Sequence, residues 1–251
     1  MPTFPTLDAW LTYLQAAQPV GVDTDLRRIA QVKQALGFSL DCPVITVSGT
    51  NGKGSTCAIL ETILLHAGYR VGCYMSPHLR VFNERARLNG IDAADVELLE
   101  QFEAVERARA SLTEPVRLTR FEFATLAIMR LFAARGLDAV LLGAGMGGRF
   151  DAANIIDTDC AIVTSVNIDH ADSLGDTREK IGSEKAAIFR AGKPAICGDP
   201  APPQSVVDHA QAIGADLWLV GRHFRYAAQP GNERQQWSYL GHRRGALRWR
   251  P

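Results

Sequence analysis

One run of residues constrains this chain more than any other: β-branched side chains that give way to glycines and then to a helix. Residues 44–56 read VITVSGTNGKGST. The apolar start is a buried strand, and KGSTCAILETILLHAGY reads as a helix ending near Gly68. Between them lie Gly49, Thr50, Asn51, Gly52, Lys53, Gly54 and Ser55, with Thr56 next. Glycines let backbone N–H groups converge on phosphate oxygens, and a helix N-terminus adds a favourable dipole. Lys53 would bridge the outer phosphates through charge-assisted hydrogen bonds. The turn is not a strict Walker A sequence, because Val47 stands where that motif needs glycine and Gly54 where it needs a hydroxyl.

The remainder alternates in the same way. RVGCYMS, LDAVLLGAG (137–145), DCAIVTSVNID (159–169), KPAICGD and DLWLVG read as strands. ADVELLEQFEAVERARASL, RFEFATLAIMRLFAARG, DTREKIGSEKAAIFRAG and QSVVDHAQAIGA read as helices. The second carries Phe121, Ala124, Ile128, Leu131 and Phe132 on one face; the third is capped by Asp176 and closed by Gly192. This order predicts an α/β fold: a P-loop-type, mostly parallel sheet flanked by helices. After Gly221 come seven Arg and one acid, with a Pro-Gly-Asn turn and an alternating pattern. A solvated antiparallel hairpin fits that texture better than a nucleic-acid patch.

Basic and acidic residues balance at 27 each, so net charge offers no attraction for nucleic acid or an anionic membrane. No apolar run approaches the ~20 residues of a membrane span, and the first residues lack a signal-peptide core. Five scattered cysteines without a C-x-x-C pair read as buried, reduced thiols of a cytoplasmic protein.

Gly143-x-Gly145-x-x-Gly148 has the spacing of a dinucleotide fingerprint. That fingerprint must open a crossover helix, and the next strand begins near Asp159, too soon to allow one. A nicotinamide oxidoreductase is therefore set aside, and these glycines are read as a loop at the carboxyl ends of the strands.

GTNGKGST together with SPHL (76–79), FNERARLNG (82–90), FEFATLA (121–127), GMGGRFDAANI (145–155), TSVNIDHADSLG (164–175), IGSEKAAIFRAGKPAI (181–196) and VGRHF (220–224) resembles the dihydrofolate synthase/folylpolyglutamate synthase family of the Mur ligase superfamily. The resemblance implies that ATP phosphorylates a pterin-borne carboxylate and that the amine of L-glutamate attacks the acyl phosphate. Substrates would be dihydropteroate or tetrahydrofolate, L-glutamate and ATP, acting on a monomer with no nucleic acid or membrane partner.

By the same resemblance Ser76 is a Mg²⁺ ligand and His170 a ligand of a second Mg²⁺. Lys185 would hold that second metal once carbamylated. It lies four residues after Ile181 and three before Ile188, on an apolar face where desolvation favours the neutral amine, the form that reacts with CO₂ to give a carbamate. A lysine whose stem packs while its head reaches water fits the same position. Lys53, His170 and Lys185 would be the catalytic set. Thr119, Phe121, Glu122, Asp151 and Ala152 fall where the dihydropteroate pocket is implied, with Phe121 equally placed for the core.

Two departures stand out. The family's metal-binding Glu falls on Gly143, which implies one weakened Mg²⁺ site of the two. Family members also continue well beyond 251 residues. Residues 1–221 would then be an ATP-binding domain and 222–251 a basic hairpin-like extension, with a carboxyl-terminal ligase domain absent. A catalytically impaired nucleotide- or folate-binding fragment is the competing reading.

Overall fold

The computed structural model describes residues 2–16, 25–114, 116–169, 174–228, 237–241 and 245–249. The strands are β1 (Val44–Ser48), β2 (Val71–Tyr74), β3 (Ala86–Leu88), β4 (Ile91–Asp92), β5 (Ala139–Gly143), β6 (Cys160–Val163), β7 (Pro194–Cys197), β8 (Asp216–Leu219), β9 (Phe224–Ala228), β10 (Trp237–Gly241) and β11 (Gly245–Trp249). The helices are α1 (Leu7–Ala16), α2 (Arg27–Leu36), α3 (Lys53–His66), α4 (Asp95–Ser111), α5 (Arg120–Ala133), α6 (Arg178–Ala186) and α7 (Gln204–Ile213).

One sheet of eight strands runs in the order β4-β3-β2-β5-β1-β6-β7-β8. From β2 to β8 every pair is parallel; β3 and β4 add an antiparallel edge that the sequence patterns did not predict. Strands β9 to β11 form a separate three-stranded antiparallel sheet within residues 222–251. None of the described helices is long and apolar enough to cross a membrane.

Both faces of the central sheet are covered, as its apolar strands require. Alternate residues of β5 divide between two cores: Val140 and Leu142 join the larger, Leu141 the smaller. The larger core is built by α1, α2, α4 and α5, where Trp10, Phe102 and Phe123 pack within 6 Å of one another, ring centre to ring centre. Burying aromatics of this size stabilises the layer by about 1.5–3 kcal/mol per ring. Cys57 of α3 closes the smaller core against Val47, Val71, Cys73 and Leu141.

Three readings shift. The strand expected at 159–169 stops at Val163, and the residues beyond it leave the sheet to contact the phosphate loop. Helix α6 is capped by Thr177, whose side chain accepts the Lys180 N–H, rather than by Asp176. It ends at Ala186, short of Gly192, because the following N–H groups of Ile188 and Phe189 make tighter three-residue turns onto Lys185 and Ala186.

Candidate active site

The parallel order places the carboxyl ends of β1, β2, β5 and β6 side by side, at the rim where doubly wound sheets bind ligands. The first contribution is the loop leaving β1. Gly52 caps α3 in the left-handed region (φ 85°) and supplies no side-chain acceptor. Among the described residues, the N–H groups of residues 52–55 donate to nothing; the first bonded one is Thr56, at 2.9 Å from the Gly52 carbonyl. Four adjacent free donors at a helix start form an anion-binding concavity.

Lys53 stands beside them. Its Nζ donates to the Gly49 carbonyl at 2.6 Å and the Thr50 carbonyl at 3.3 Å, so the ammonium folds over the loop. Burial lowers its pKa, opposed by Asp169 and Asp151. The first half of the loop is used differently. Thr50 N–H donates to the Ser165 carbonyl at 2.9 Å and Asn51 N–H to Ser165 Oγ at 3.1 Å. Of the predicted nucleotide-binding residues, Thr50 and Asn51 thus face the 164–167 loop with their donors engaged. Ser55 is exposed on the first turn of α3 and Thr56 is half-buried there.

Strand β2 delivers Ser76, whose buried Oγ has no hydrogen-bond partner among the described residues. An orphaned hydroxyl here fits a hard cation. No cluster of three or more His, Cys, Asp or Glu able to hold a metal occurs among the described residues. The turn beyond Ser76 is organised by Glu84, which accepts the N–H groups of Leu79, Arg80 and Val81 at 2.6–2.9 Å. At the end of β5, a side chain on Gly143 would place its Cβ 2.7 Å from Met75 Sδ. A carboxylate there would require Met75 to move, a steric coupling invisible in sequence.

Lys185 is 2% exposed, and its pKa falls to about 8. Burial is the main cause and the Lys53 ammonium the second, with Asp169 opposing. The apolar face read from sequence is real, and the snorkelling alternative does not fit such burial. Asp169 acts on both lysines, so the phosphate loop, the end of the 164–169 segment and α6 converge. His170 lies outside the described residues.

The third group surrounds Gly145. A Cβ at that position would meet Ser76 Oγ at 2.5 Å, Phe121 Cζ at 3.4 Å and Asp151 Oδ2 at 3.5 Å. Asp151 is buried, accepts Ala153 N–H at 2.9 Å and Met146 N–H at 3.1 Å, and has its pKa raised by burial. Ala152 is buried in the short turn that follows. Phe121 is half-buried, its ring 6.5 Å from Tyr74. Thr119 and Glu122 are occupied otherwise. Thr119 Oγ1 accepts the Glu122 N–H at 3.1 Å, while Glu122 Oε2 accepts the Thr119 N–H at 2.6 Å, a capping box that starts α5. Arg28 of α2 binds the same carboxylate at 3.1 Å. Arg28 and Thr164 escaped sequence reasoning, because their partners lie 94 and 113 residues away.

A parallel sheet with a lysine-bearing phosphate loop at its rim defines a nucleotide-binding class. Residues 47–222 match the Mur ligase middle domain, and the chain belongs to that family. It is 46% identical over 222 residues to the Escherichia coli dihydrofolate synthase/folylpolyglutamate synthase, covering 88% of this chain and 52% of that protein. The fold superposes on E. coli FolC in complex with DHPP and ADP with a TM-score of 0.91 at 42% identity, covering 98% of this chain and 58% of the other. It also matches the bifunctional folylpolyglutamate synthase/dihydrofolate synthase from Yersinia pestis complexed with AMPPNP and Mn ion, with a TM-score of 0.89, 42% identity and the same coverage. The chain spans about half the length of the curated relatives it matches.

Proposed function

We propose that this chain supplies the nucleotide-binding part of an ATP-dependent ligase of folate metabolism, one that joins L-glutamate to dihydropteroate or a reduced folate. The observation that carries this reading is the run of four open N–H groups at 52–55 beside Lys53. The likeness to proteins solved with ADP and with AMPPNP supports it.

In this reading the 52–55 N–H groups orient the β- and γ-phosphates, and Lys53 leaves its loop carbonyls for the outer phosphate oxygens. The γ-phosphoryl group passes to the substrate carboxylate, giving ADP and an acyl phosphate; the glutamate amine then attacks, and phosphate leaves. Mg²⁺, when bound, supplies charge neutralisation on the phosphates. Ser76 would hold it through Oγ, and the lack of a carboxylate at Gly143 would weaken that site. Lys185, whose lowered pKa makes the neutral amine easier to reach, would add to CO₂ with release of a proton, and the carbamate, with His170, would hold a second ion. Phe121 and Asp151 face the pterin: the ring stacks, and the carboxyl pairs with the amino edge. The five free cysteines suit a reducing cytoplasm, and the protein acts as a monomer.

The test is ADP release from ATP at millimolar Mg²⁺, with dihydropteroate or tetrahydrofolate as acceptor, with and without L-glutamate. Release that requires both acceptor and glutamate supports ligation. ADP release indifferent to both would leave a nucleotide-binding protein of other purpose.

A further inference from the structure

The loop after β6 holds the phosphate loop by a set of contacts that no catalytic role accounts for. Thr164 N–H donates to the Ser48 carbonyl at 2.9 Å, fixing residue 164 at the end of β1. Its Oγ1 donates to the Asn51 carbonyl at 2.5 Å, with Ser48 O a further 3.2 Å contact. Ser165 Oγ reaches the same Asn51 carbonyl at 3.2 Å, and Thr50 Oγ1 lies 3.0 Å from the carbonyl of Asn167. On the far side Gly198 approaches so closely that a Cβ would stand 3.0 Å from the Thr164 carbonyl oxygen. Thr164 is thereby wedged between the ends of β1 and β7.

This wedge explains Gly49. Its φ is 144°, and a Cβ there would lie 1.9 Å from Thr164 Oγ1. The missing side chain at 49 makes room for the threonine hydroxyl. The consequence reaches the open donors through peptide geometry. A trans peptide is planar, so its C=O and the following N–H point to opposite sides. Holding the Asn51 carbonyl against Thr164 turns the Gly52 N–H away from the 164–165 loop. Gly52 N–H is the first of the four free donors.

We propose that Thr164 is a positioning residue for the nucleotide: its hydroxyl sets the Asn51–Gly52 peptide plane and with it the direction in which the loop presents its first phosphate donor. The proposal rests on the reading that residues 52–55 bind the polyphosphate. It assigns specificity for the phosphate chain, rather than for the base or the pterin, to a residue that touches neither.

The experiment is calorimetric titration of the full chain with Mg-ADP and with inorganic tripolyphosphate. Thr164→Val and Thr164→Ala, which lack the hydroxyl, are expected to bind both ligands about tenfold more weakly than wild type. Thr164→Ser, which keeps the hydroxyl, is expected to restore binding to within about threefold, a rescue that simple loss of packing would not produce. Wild-type affinity in both hydroxyl-less variants, with Lys53→Ala impaired, overturns the positioning role and leaves the nucleotide site standing. Absence of binding by wild type removes the nucleotide site first and this role with it. Should a hydroxyl-less variant fail to fold, Ser165→Ala removes the second hydroxyl on the same carbonyl. A loss of about threefold is then expected, and unchanged affinity contradicts the proposal.

Discussion

Two helix starts in this molecule face the same physical problem and solve it in opposite ways. Helices α3 and α5 each begin with N–H groups that lack partners inside the helix. At α5 side chains close two N–H groups: Thr119 and Glu122 exchange hydrogen bonds, and Arg28 binds the carboxylate. At α3 the cap is a glycine, no side chain bonds the first N–H groups among the described residues, and an ammonium folds over the loop. A closed start converts its donors into folding free energy. An open one keeps them for an anion, at a cost in stability that burial elsewhere must offset. The contrast separates two groups of residues that sequence motifs alone treat alike.

The largest effect expected from this contrast concerns the closed end. Glu122→Ala removes the carboxylate that Arg28 binds and uncaps α5, and should lower unfolding free energy by about 3 kcal/mol in urea titrations. Affinity for Mg-ADP should stay at the wild-type value; a parallel loss of affinity would erase the distinction between the two ends. At the open end the pattern reverses. Lys53→Ala should cost about 2 kcal/mol in Mg-ADP binding, read by calorimetry, while unfolding changes by under about 1 kcal/mol.

A smaller effect sharpens the account of the buried charge between the two lysines. Native Lys185 releases its proton near pH 8, whereas the unfolded chain holds it to about 10.5. Below pH 8 both states are protonated and the full cost of burying the ammonium is present. Between these values the unfolded state binds more protons, so wild-type stability rises with pH. Lys185→Met should therefore unfold about 1 kcal/mol less readily than wild type at pH 7, with the gap closing above pH 8. A gap independent of pH would place the ammonium in water.

The sheet was legible because its signals are local. Each strand from β1 to β8 in the parallel set carries a short apolar run between breakers, and each run needs only its own residues to be recognised. The edge pair β3–β4 was not: at three and two residues the strands are too short to show a period. The phosphate loop was legible as a motif, yet its division into an engaged first half and an open second half was not. That division depends on Thr164 and Ser165, which come next to the loop only when β6 pairs with β1. Glu122 illustrates the converse. Its spacing from Thr119 is that of a capping box, and the structure gives the carboxylate that local role, completed by Arg28 from across the fold. Gly143 likewise reads as a lost ligand in sequence, whereas the structure couples it to the volume of Met75.

The central claim is that residues 52–55 hold their N–H groups open for phosphate. Backbone amide resonances report this directly. On adding Mg-ADP to the ¹⁵N-labelled chain, the account predicts that the amides of Gly52, Lys53, Gly54 and Ser55 shift most, while those of Thr50 and Asn51, bonded to Ser165, shift less. Saturation with Mg-ADP that leaves the 52–55 amides where they stood, with the largest shifts elsewhere, would contradict it.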